Sequence, residues 1–394
     1  MWPRLVANKI LKTRLGSHNF VADFPGDETS LDAPGLNDHE SFNPKSLNIH
    51  HKHTYTYKVF VSTWNVGGVA PPQDLNMEDW LDACNTPCDI YVLGFQEVIP
   101  LIATNVLGRE NGKTSTKWNC LIREALNKKI YRSRDGQIEN EVSLFTDEDG
   151  SRWCNMAGHQ ESFGCIVSKQ MVGILMSVWV RSELRPYITH LSVSYVGCGI
   201  MGCLGNKGSV SVRFELHEMS FCFVCTHLAS GDKEGDKRHR NLNATQIFSR
   251  TIFPGGSSID LPRKILDHDQ VILFGDLNYR ISLPEARTRL LVDKTEWNAL
   301  LRNDQLRTEL MDGQVFEGWH EGKINFSPTY KYYPNSDVYY GGDHQGKKDK
   351  KRHAPAWCDR IIWLGDRLKQ QLYTRGEVKL SDHRPVKAIF TAQV

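Results

Sequence analysis

Residues 270–281, QVILFGDLNYRI, decide the fold. The run QVILFG lacks the alternation of apolar and polar residues that marks a half-exposed strand, so it predicts a central strand covered on both faces. The chain then passes directly to Asp276, Asn278 and Arg280. A strand fixes the position of its last residues better than a loop can, so polar side chains there indicate a site at the edge of a sheet.

Other strand-like runs carry polar residues at their ends in the same way. A single Asp-Leu-Asn or Ser-Asp-His is most often a turn or a cap, whereas repetition at several strand ends indicates a shared site. These polar residues are Asn65, Gln96, Glu97, His227, Asp359, Arg360, Asp382 and His383.

The alternation of strand-like and helical segments predicts two packed β-sheets with helices outside. In SVSVRFEL, polar and apolar residues alternate, so we expect one buried and one polar face. The strand-like runs are YKVFVSTWN, DIYVLGFQE, VGILMSVWV, GSVSVRFEL, MSFCFVCTHL, DQVILFGDLN, DRIIWLG and RPVKAIFTA. The helical segments are NMEDWLDACN, CLIREALNKKI, KRHRNLNATQIFS and LPEARTRLLVDKTEWNALLRNDQLRTEL.

Composition divides the 394 residues into two parts. Residues 1–54 include a stretch rich in Pro, Gly, Asp and Ser, which predicts a partly disordered leader. The first residues of this leader predict either a basic amphipathic helix that touches a membrane or a short docked or frayed helix. Residues 55–394 carry the strand pattern and predict one large domain, with a polar insertion at about residues 131–164.

Bulk composition excludes some classes of protein but selects no partner. The formal net charge is only +2, so overall charge does not predict nucleic-acid or membrane binding. Ten cysteines without a framework and no secretory signal favour a reducing compartment. Cys222 and Cys225 would point to opposite faces of one strand, so we expect them to pack rather than bind metal. No apolar run is long enough to span a membrane.

The glycines of VGCGIMGCLG have the spacing of a dinucleotide-binding fingerprint. That fingerprint must open a helix, whereas the strand-like NKGSVSVRFEL follows here. We therefore expect a glycine-rich loop that brings Asn206 and Lys207 to the site at the strand ends.

The residue types at the strand ends favour phosphoester cleavage. Hard oxygen donors suit one Mg²⁺ that keeps some of its waters, although two ions have similar ligand demands. His227 and His383 can donate to a phosphate or act as acid or base. The cations Lys207, Arg280 and Arg360 can hold phosphate oxygens. The oxygen donors are Glu97, Asp276, Asp382, Asn65 and Asn278.

Eight motifs carry a family resemblance: STWNVGG, GFQEVIPL, GNKGSV, THLASG, FGDLNYRI, PTYKYY, PAWCDRIIW and SDHRPV. Together they resemble the inositol polyphosphate 5-phosphatase family, within the Mg²⁺-dependent endonuclease/exonuclease/phosphatase enzymes, and in particular its short plant members. The resemblance implies an α/β fold, a DNase-like four-layer sandwich of two mainly antiparallel or mixed sheets flanked by helices. Residues 55–394 would form the catalytic domain.

The resemblance also implies roles for the metal-binding and water-activating residues. Glu97 resembles the principal Mg²⁺ ligand, with Asn65 beside it and Asp382 near the metal or its waters. Asp276 resembles the base that activates the attacking water, and Asn278 the residue that positions the water or the phosphate.

The remaining catalytic roles follow from the same resemblance. His383 resembles the histidine that contacts the scissile phosphate, and Asp359 would fix its tautomer and favour the imidazolium. His227 and Asn206 would bind the transferred phosphoryl oxygens. The implied reaction is direct hydrolysis without a phospho-enzyme.

In the family, a Tyr-Lys pair and a later basic residue bind the neighbouring 4-phosphate. Tyr330 and Lys331 match the pair, and Lys351 falls at the later basic place, with Arg352 next to it. The intervening segment is longer than usual, so any of Lys347, Lys348 and Lys350 can replace Lys351. The cluster KKDKKRH fits an anionic headgroup, and a solvated basic loop is the alternative.

The resemblance therefore implies Mg²⁺-dependent removal of the 5-phosphate from phosphoinositides or soluble inositol polyphosphates. A Mg²⁺ nuclease or sphingomyelinase of the same superfamily and a catalytically silent phosphoinositide-binding module are the alternatives. We expect inositol phosphates or their lipid headgroups as partners, weak and reversible membrane contact, no nucleic acid, and a monomer. The expected location is the cytoplasm, with peripheral association at the plasma membrane.

Overall fold

The computed structural model describes most of the chain after residue 53. The leader, much of the segment at residues 131–164, and Lys351 and Arg352 with the neighbouring lysines lie outside the described residues. The described ranges are 54–81, 87–108, 112–134, 144–146, 152–154, 162–233, 235–254, 261–313, 315–341 and 353–394.

The described residues form 14 strands and seven α-helices. The strands are β1 (Thr56–Asn65), β2 (Ile90–Gln96), β3 (Leu144–Thr146), β4 (Arg152–Cys154), β5 (Phe163–Met171), β6 (Ile174–Arg181), β7 (Ile188–Gly197), β8 (Gly208–Leu216), β9 (Met219–His227), β10 (Gln270–Asp276), β11 (His320–Glu321), β12 (Asp359–Leu364), β13 (Leu368–Arg375) and β14 (Val386–Gln393). The helices are α1 (Glu78–Leu81), α2 (Ala103–Leu107), α3 (Lys113–Arg134), α4 (Asp236–Arg250), α5 (Glu285–Asp293), α6 (Trp297–Leu301) and α7 (Gln305–Asp312).

Two mixed sheets of six strands pack face to face. Their strand orders are β13-β14-β1-β2-β6-β5 and β11-β12-β10-β9-β8-β7, and β3 and β4 form a separate hairpin. Each sheet is built around the same arrangement: β1 is parallel to β2 and antiparallel to β14, and β10 is parallel to β9 and antiparallel to β12. With helices on the outer faces, the predicted α/β sandwich is confirmed.

Alternation along the strands separates the core between the sheets from the outer cores. In β10, Ile272 and Phe274 belong to the cluster between the sheets, whereas Val271 and Leu273 belong to an outer cluster that includes residues of α4 and α7. The strand is therefore covered on both faces, as predicted. A third cluster packs tryptophans of α1 and α3 on the outer face of the first sheet.

This alternation decides which strand ends meet. Asn65, His227, Asp276 and Asp359 are in phase with the residues that face the other sheet. The strand register also places Asp276 opposite both His227 and Asp359. Polar side chains from both sheets therefore converge at one end of the space between them.

Gly275 allows β10 to approach its neighbour immediately before Asp276. Its φ is +146°, and a Cβ built at this position would lie 1.9 Å from the Thr226 carbonyl oxygen. No side chain fits there, so steric crowding explains why a glycine directly precedes Asp276.

The structure differs from the sequence prediction for β8. Both faces are buried, because Val210, Val212 and Phe214 face the other sheet while Ser209, Ser211 and Arg213 are covered on the outer side. Arg213 donates to the carbonyl oxygens of Pro254 and Pro262. The alternation arises from two different buried faces, not from solvent exposure.

Other elements also differ from prediction or extend it. Six strands are absent from the predicted set, namely β3, β4, β5, β7, β11 and β13. Of these, β3 and β4 form the separate hairpin and the other four are edge strands. Both β7 and β13 carry many polar residues, which hides the strand pattern. The long helical segment near residue 300 forms three helices, because Thr295 has a left-handed φ of 54° and Asp304 caps α7 through Arg307 N. Cys222 and Cys225 are buried in different clusters, as expected for packing residues.

The glycine-rich loop at residues 197–207 leads into β8 and not into a helix, as expected. No helix in the described ranges has the length and apolar character needed to cross a membrane.

Candidate active site

Asp276 lies at the centre of the site, at the end of β10. Its Oδ2 accepts a hydrogen bond from Asn65 Nδ2 at 2.9 Å and lies 3.2 Å from His227 Nε2. Its Oδ1 accepts from the backbone N–H of Asn278 at 3.1 Å. Asp276 is 2 % exposed, and these contacts fix both carboxylate oxygens in one orientation.

Glu97 follows β2 and faces the same centre. Its φ of 54° is rare for a residue with a side chain and turns the chain sharply after Gln96. Glu97 Oε1 lies 3.8 Å from His227 Nε2 and 3.5 Å from Asn65 Nδ2. Asn65 turns its amide nitrogen toward both carboxylates, and its Oδ1 accepts from Gly67 N at 3.0 Å. This arrangement gives Asn65 an orienting contact with the two carboxylates.

Asn278 is held by contacts on both sides of its amide. Its φ is 58°, Nδ2 donates to Leu228 O at 3.1 Å, and Oδ1 accepts from Arg280 Nη2 at 2.8 Å. The Asp-Leu-Asn sequence therefore makes a tight left-handed turn that returns Asn278 to the end of the strand.

His383 and Asp359 form a buried pair. His383 Nδ1 lies 2.8 Å from Asp359 Oδ2, which also accepts from Thr329 Oγ1 at 2.7 Å. One donor or acceptor atom from each of Asp276, Asp359 and His383 lies within 4.8 Å of the others. The predicted pairing of His383 with Asp359 is thus present, and it lies directly beside Asp276.

The two histidines of the site have opposite pKa shifts. Burial alone lowers the pKa of His383, but the charge and hydrogen bond of Asp359, with further charge from Asp276 and Asp382, raise it to about 9. Burial and the positive charge of Lys207 lower the pKa of His227. At neutral pH, His383 is therefore a cation and His227 is neutral.

The carboxylate at the centre is ionised. Burial raises the pKa of Asp276, but His227, His383 and Lys207 together hold it well below its usual range. Burial also lowers the pKa of Lys207 to about 8, and its Nζ contacts His227 Nε2. The glycine-rich loop therefore brings Lys207 to the site as expected. Asn206, the preceding residue, accepts from Ile200 N at 3.3 Å within the loop.

Tyr330 and Lys331 form one wall of the site. The Tyr330 ring packs 4.6 Å from the His383 ring. Lys331 Nζ lies 3.1 Å from Asp382 Oδ2 and close to the faces of the Tyr330 and Tyr340 rings. The structure therefore places the predicted substrate-binding pair next to His383.

Two predicted phosphate ligands have other partners. Arg360 is fully buried, its Nη1 lies 3.0 Å from Asp304, and its Nε and Nη2 donate to Glu321. The prediction that Arg360 holds phosphate is wrong, because adjacent residues of a strand point to opposite faces and Asp359 takes the face of the site.

Arg280 lies close to the site and is buried. It donates to Asn278 Oδ1 and to Cys358 Sγ and stacks on the Tyr330 ring at 4.6 Å. These contacts position Asn278 and Tyr330, and phosphate binding by Arg280 stays a prediction.

Some residues with supporting contacts are missing from the predicted set. Thr329 binds Asp359, and Ser381 donates to Asn65 O and accepts from His383 N at 3.1 Å. Thr329 belongs to the motif PTYKYY and Ser381 to the motif SDHRPV, so their position in the sequence was a usable signal. Lys351 and Arg352 lie outside the described residues.

The donor chemistry fits a hard divalent cation. The Glu97 side chain is 30 % exposed, and its Oε1 lies 3.5 Å from Asn65 Nδ2 and 3.8 Å from His227 Nε2. This carboxylate can therefore accept a further ligand beside ionised Asp276. The Asp276, Asp359 and His383 group fits a metal less well, because His383 Nδ1 carries the proton that binds Asp359, and a metal ligand must be deprotonated.

Comparisons with known proteins agree with this geometry. The family model of Endonuclease/Exonuclease/phosphatase family 2 matches residues 62–389. Type IV inositol polyphosphate 5-phosphatase 9 of Arabidopsis thaliana is 62 % identical over 100 % of this chain and 92 % of its own length. Type I inositol polyphosphate 5-phosphatase 8 of the same plant is 44 % identical over 100 % of this chain and 86 % of its own.

A solved structure agrees as well. The inositol polyphosphate 5-phosphatase domain of SPsynaptojanin, in complex with inositol (1,4)-bisphosphate and calcium, matches with a TM-score of 0.70 and 29 % identity. The match covers 87 % of this chain and 86 % of that one.

Two facing mixed sheets with a carboxylate–imidazolium cluster at their shared end define an endonuclease/exonuclease/phosphatase-type hydrolase. Within that class, the sequence identity to the two Arabidopsis proteins along the full length of this chain decides the family. The chain belongs to the inositol polyphosphate 5-phosphatase family.

Proposed function

We propose that the chain hydrolyses the 5-phosphate of phosphoinositides, such as phosphatidylinositol 4,5-bisphosphate and 3,4,5-trisphosphate, and of soluble inositol polyphosphates, with Mg²⁺. The observation that carries this proposal is the position of the His383–Asp359 pair, within 4.8 Å of ionised Asp276. A cationic hydrogen-bond donor to phosphate and a carboxylate base are then close enough to act on the same phosphate group.

The charge states support direct attack by water. Ionised Asp276 can take a proton from water, while the Nε2–H of His383 can donate to a phosphoryl oxygen because Nδ1 is engaged by Asp359. Lys207 and the neutral His227 lie beside Asp276, where phosphoryl oxygens can be bound. Burial raises the pKa of Cys358 well above its usual range, so its thiol stays protonated and does not compete as a nucleophile.

A bound Mg²⁺ would supply neutralisation of the phosphate charge. Glu97 would hold it as the principal ligand, with Asn65 orienting the carboxylates and Asp382 near its waters. The calcium ion in the SPsynaptojanin complex supports a divalent cation in the proposed reaction.

Lys331 supports a substrate with a second phosphate beside the scissile one. Its ammonium group is on the wall next to His383 and has Asp382 as its partner. An anionic group of the substrate can replace that carboxylate as partner. The bisphosphate bound to the SPsynaptojanin domain supports a polyphosphorylated inositol ring.

Exposed apolar residues at the rim support reversible contact with a membrane surface. Ile200 and Met201, 56 % and 63 % exposed, line a cavity of about 540 Å³ together with Leu242, Asn206 and Lys207. A lipid-embedded headgroup entering the site would bring acyl chains to this rim. We further propose a monomer in the cytoplasm that associates peripherally with the plasma membrane.

Phosphate release from a substrate panel tests the proposal. The purified chain with Mg²⁺ should release phosphate from vesicles containing phosphatidylinositol 4,5-bisphosphate and from inositol 1,4,5-trisphosphate. It should leave supercoiled plasmid and sphingomyelin intact, which separates it from the nuclease and sphingomyelinase alternatives. Binding to the vesicles without any phosphate release would instead establish the silent binding module.

A further inference from the structure

An outer layer of contacts surrounds the wall formed by Tyr330 and Lys331, and the proposed reaction does not use it. Asp232, in the loop after β9, joins two side chains from different parts of the chain. Its Oδ1 lies 3.2 Å from Arg280 Nε, and its Oδ2 lies 2.8 Å from His353 Nδ1. Asp232 therefore links Arg280, which stacks on the Tyr330 ring, to His353, whose ring packs edge-on against the same ring.

Arg289 on α5 makes the second link of this layer. Its Nη2 donates to the Tyr340 carbonyl oxygen at 2.6 Å and to the His353 carbonyl oxygen at 2.8 Å. One guanidinium group thereby holds side by side two backbone positions that are 13 residues apart in the sequence. Glu285, one turn earlier on α5, contacts Arg289 Nε and orients the guanidinium from behind.

The two positions held by Arg289 contact the wall directly. Tyr340 N donates to Lys331 O at 2.8 Å, and the Tyr340 ring lies 5.4 Å from Lys331 Nζ. The His353 ring packs against Tyr330 with a centroid distance of 6.2 Å. A continuous series of contacts therefore runs from Arg289 to the Lys331 ammonium group.

We propose that Arg289 is a positioning residue that determines substrate selection: by holding Tyr340 and His353 together, it fixes Lys331 where a phosphate adjacent to the scissile one binds. This inference rests on the proposed function and deepens it. Arg289 does not touch the catalytic cluster in the described contacts, so it acts on binding of the adjacent phosphate and not on the chemical step.

The selective effect follows from where the contacts end. Without the guanidinium group, two carbonyl oxygens lose a charged donor, and Tyr340 and His353 lose the link that holds them side by side. His383, Asp359 and Asp276 keep all their partners. For a substrate that carries the adjacent phosphate, KM should rise while kcat stays the same. For a substrate that lacks this phosphate, neither constant should change.

Steady-state kinetics of Arg289→Gln test this directly. With inositol 1,4,5-trisphosphate, we expect KM to rise about tenfold and kcat to stay within about twofold, consistent with the loss of hydrogen bonds from a charged group. With inositol 1,5-bisphosphate, both constants should match the wild type. Arg289→Lys, which can reach one of the two carbonyl groups, should lie between.

Arg287→Gln is the matched control, because Arg287 lies exposed on the same helix and its loss removes the same charge. Equal KM values for the two glutamine variants, or equal changes on both substrates, would overturn the inference. Should Arg289→Gln fold poorly, Arg289→Lys offers the same KM-against-kcat comparison, because lysine keeps the charge and can donate to only one of the two carbonyl oxygens. Failure of the proposed function would differ, since the wild type itself would then release no phosphate.

Discussion

His383 Nδ1 lies 2.8 Å from Asp359 Oδ2, and both side chains are buried at the shared end of the two sheets. Burial alone would lower the pKa of His383, but the charge and hydrogen bond of Asp359 raise it to about 9. The histidine therefore keeps its proton throughout the neutral range, beside a carboxylate that is ionised. This separation of charge states is the basis of the proposed reaction.

The pH dependence of the activity should reflect this pair. Because the active form needs protonated His383 and its pKa is raised, kcat/KM should hold through neutral pH and fall as the pH rises through about 9. Asp359→Asn removes the charge that raises this pKa, so the fall should move to lower pH. A pH–rate profile measures it, with NMR titration of the His383 ring as an independent readout. An unchanged basic limb in Asp359→Asn would contradict this assignment.

Lys331→Gln should affect substrates according to their phosphates. The Lys331 ammonium group lies 3.1 Å from Asp382 and beside Tyr330, so it is placed for a phosphate adjacent to the scissile one. We expect KM to rise about tenfold or more for a 4,5-bisphosphorylated substrate, and much less for one that lacks the 4-phosphate. Parallel kinetics on the two substrates check this. Equal losses on both would rule out the selective role.

Arg360→Met should reduce stability without changing substrate binding. The substitution leaves the buried carboxylates of Asp304 and Glu321 without their cation, which costs about 3–5 kcal/mol when one partner of a buried pair is removed. Urea unfolding measures this loss, and KM of the folded fraction should match the wild type. If KM rose while stability stayed the same, Arg360 would be a phosphate ligand after all.

Gly275→Ala tests the steric reason for the Gly-Asp pair. A methyl group would clash with the Thr226 carbonyl oxygen at a φ of +146°, so we expect a loss of about 2–4 kcal/mol in the free energy of unfolding. Gly313→Ala is the control, because Gly313 also has positive φ but no atom within 4 Å of its Cβ position. It should cost only about 1 kcal/mol, and similar losses for the two would indicate backbone strain alone.

The sequence predicts the centre of the site well because strand ends carry their own geometry. Asp276, His227 and Asp359 each follow or begin an apolar run, and a period of two aligns them with the core residues between the sheets. The same period explains the error for Arg360. It is next to Asp359 in the sequence, but the alternation sends it to the opposite face, into a buried ion pair with Asp304 and Glu321.

Contacts between distant loops leave weaker signals in the sequence. The links from Arg289 to Tyr340 and His353 join a helix to backbone carbonyl groups. Every residue has such a group, so the residue types give no signal for these links. Asp232 and His353 are single polar residues in loops, a pattern typical of any surface. The buried faces of β8 are hidden as well, because Ser209 and Ser211 resemble solvent-facing residues until the covering segment is placed.

The most direct measurement is the turnover rate of Asp276→Asn with Mg²⁺ and a 5-phosphorylated inositol substrate. The amide keeps the shape of the side chain and cannot take a proton from water, so kcat should fall by about 10²–10⁴-fold. The thermal unfolding midpoint and vesicle binding should show a protein that still folds and still recognises the headgroup. A variant that retains wild-type turnover would contradict the assignment of Asp276 as the base that activates the attacking water.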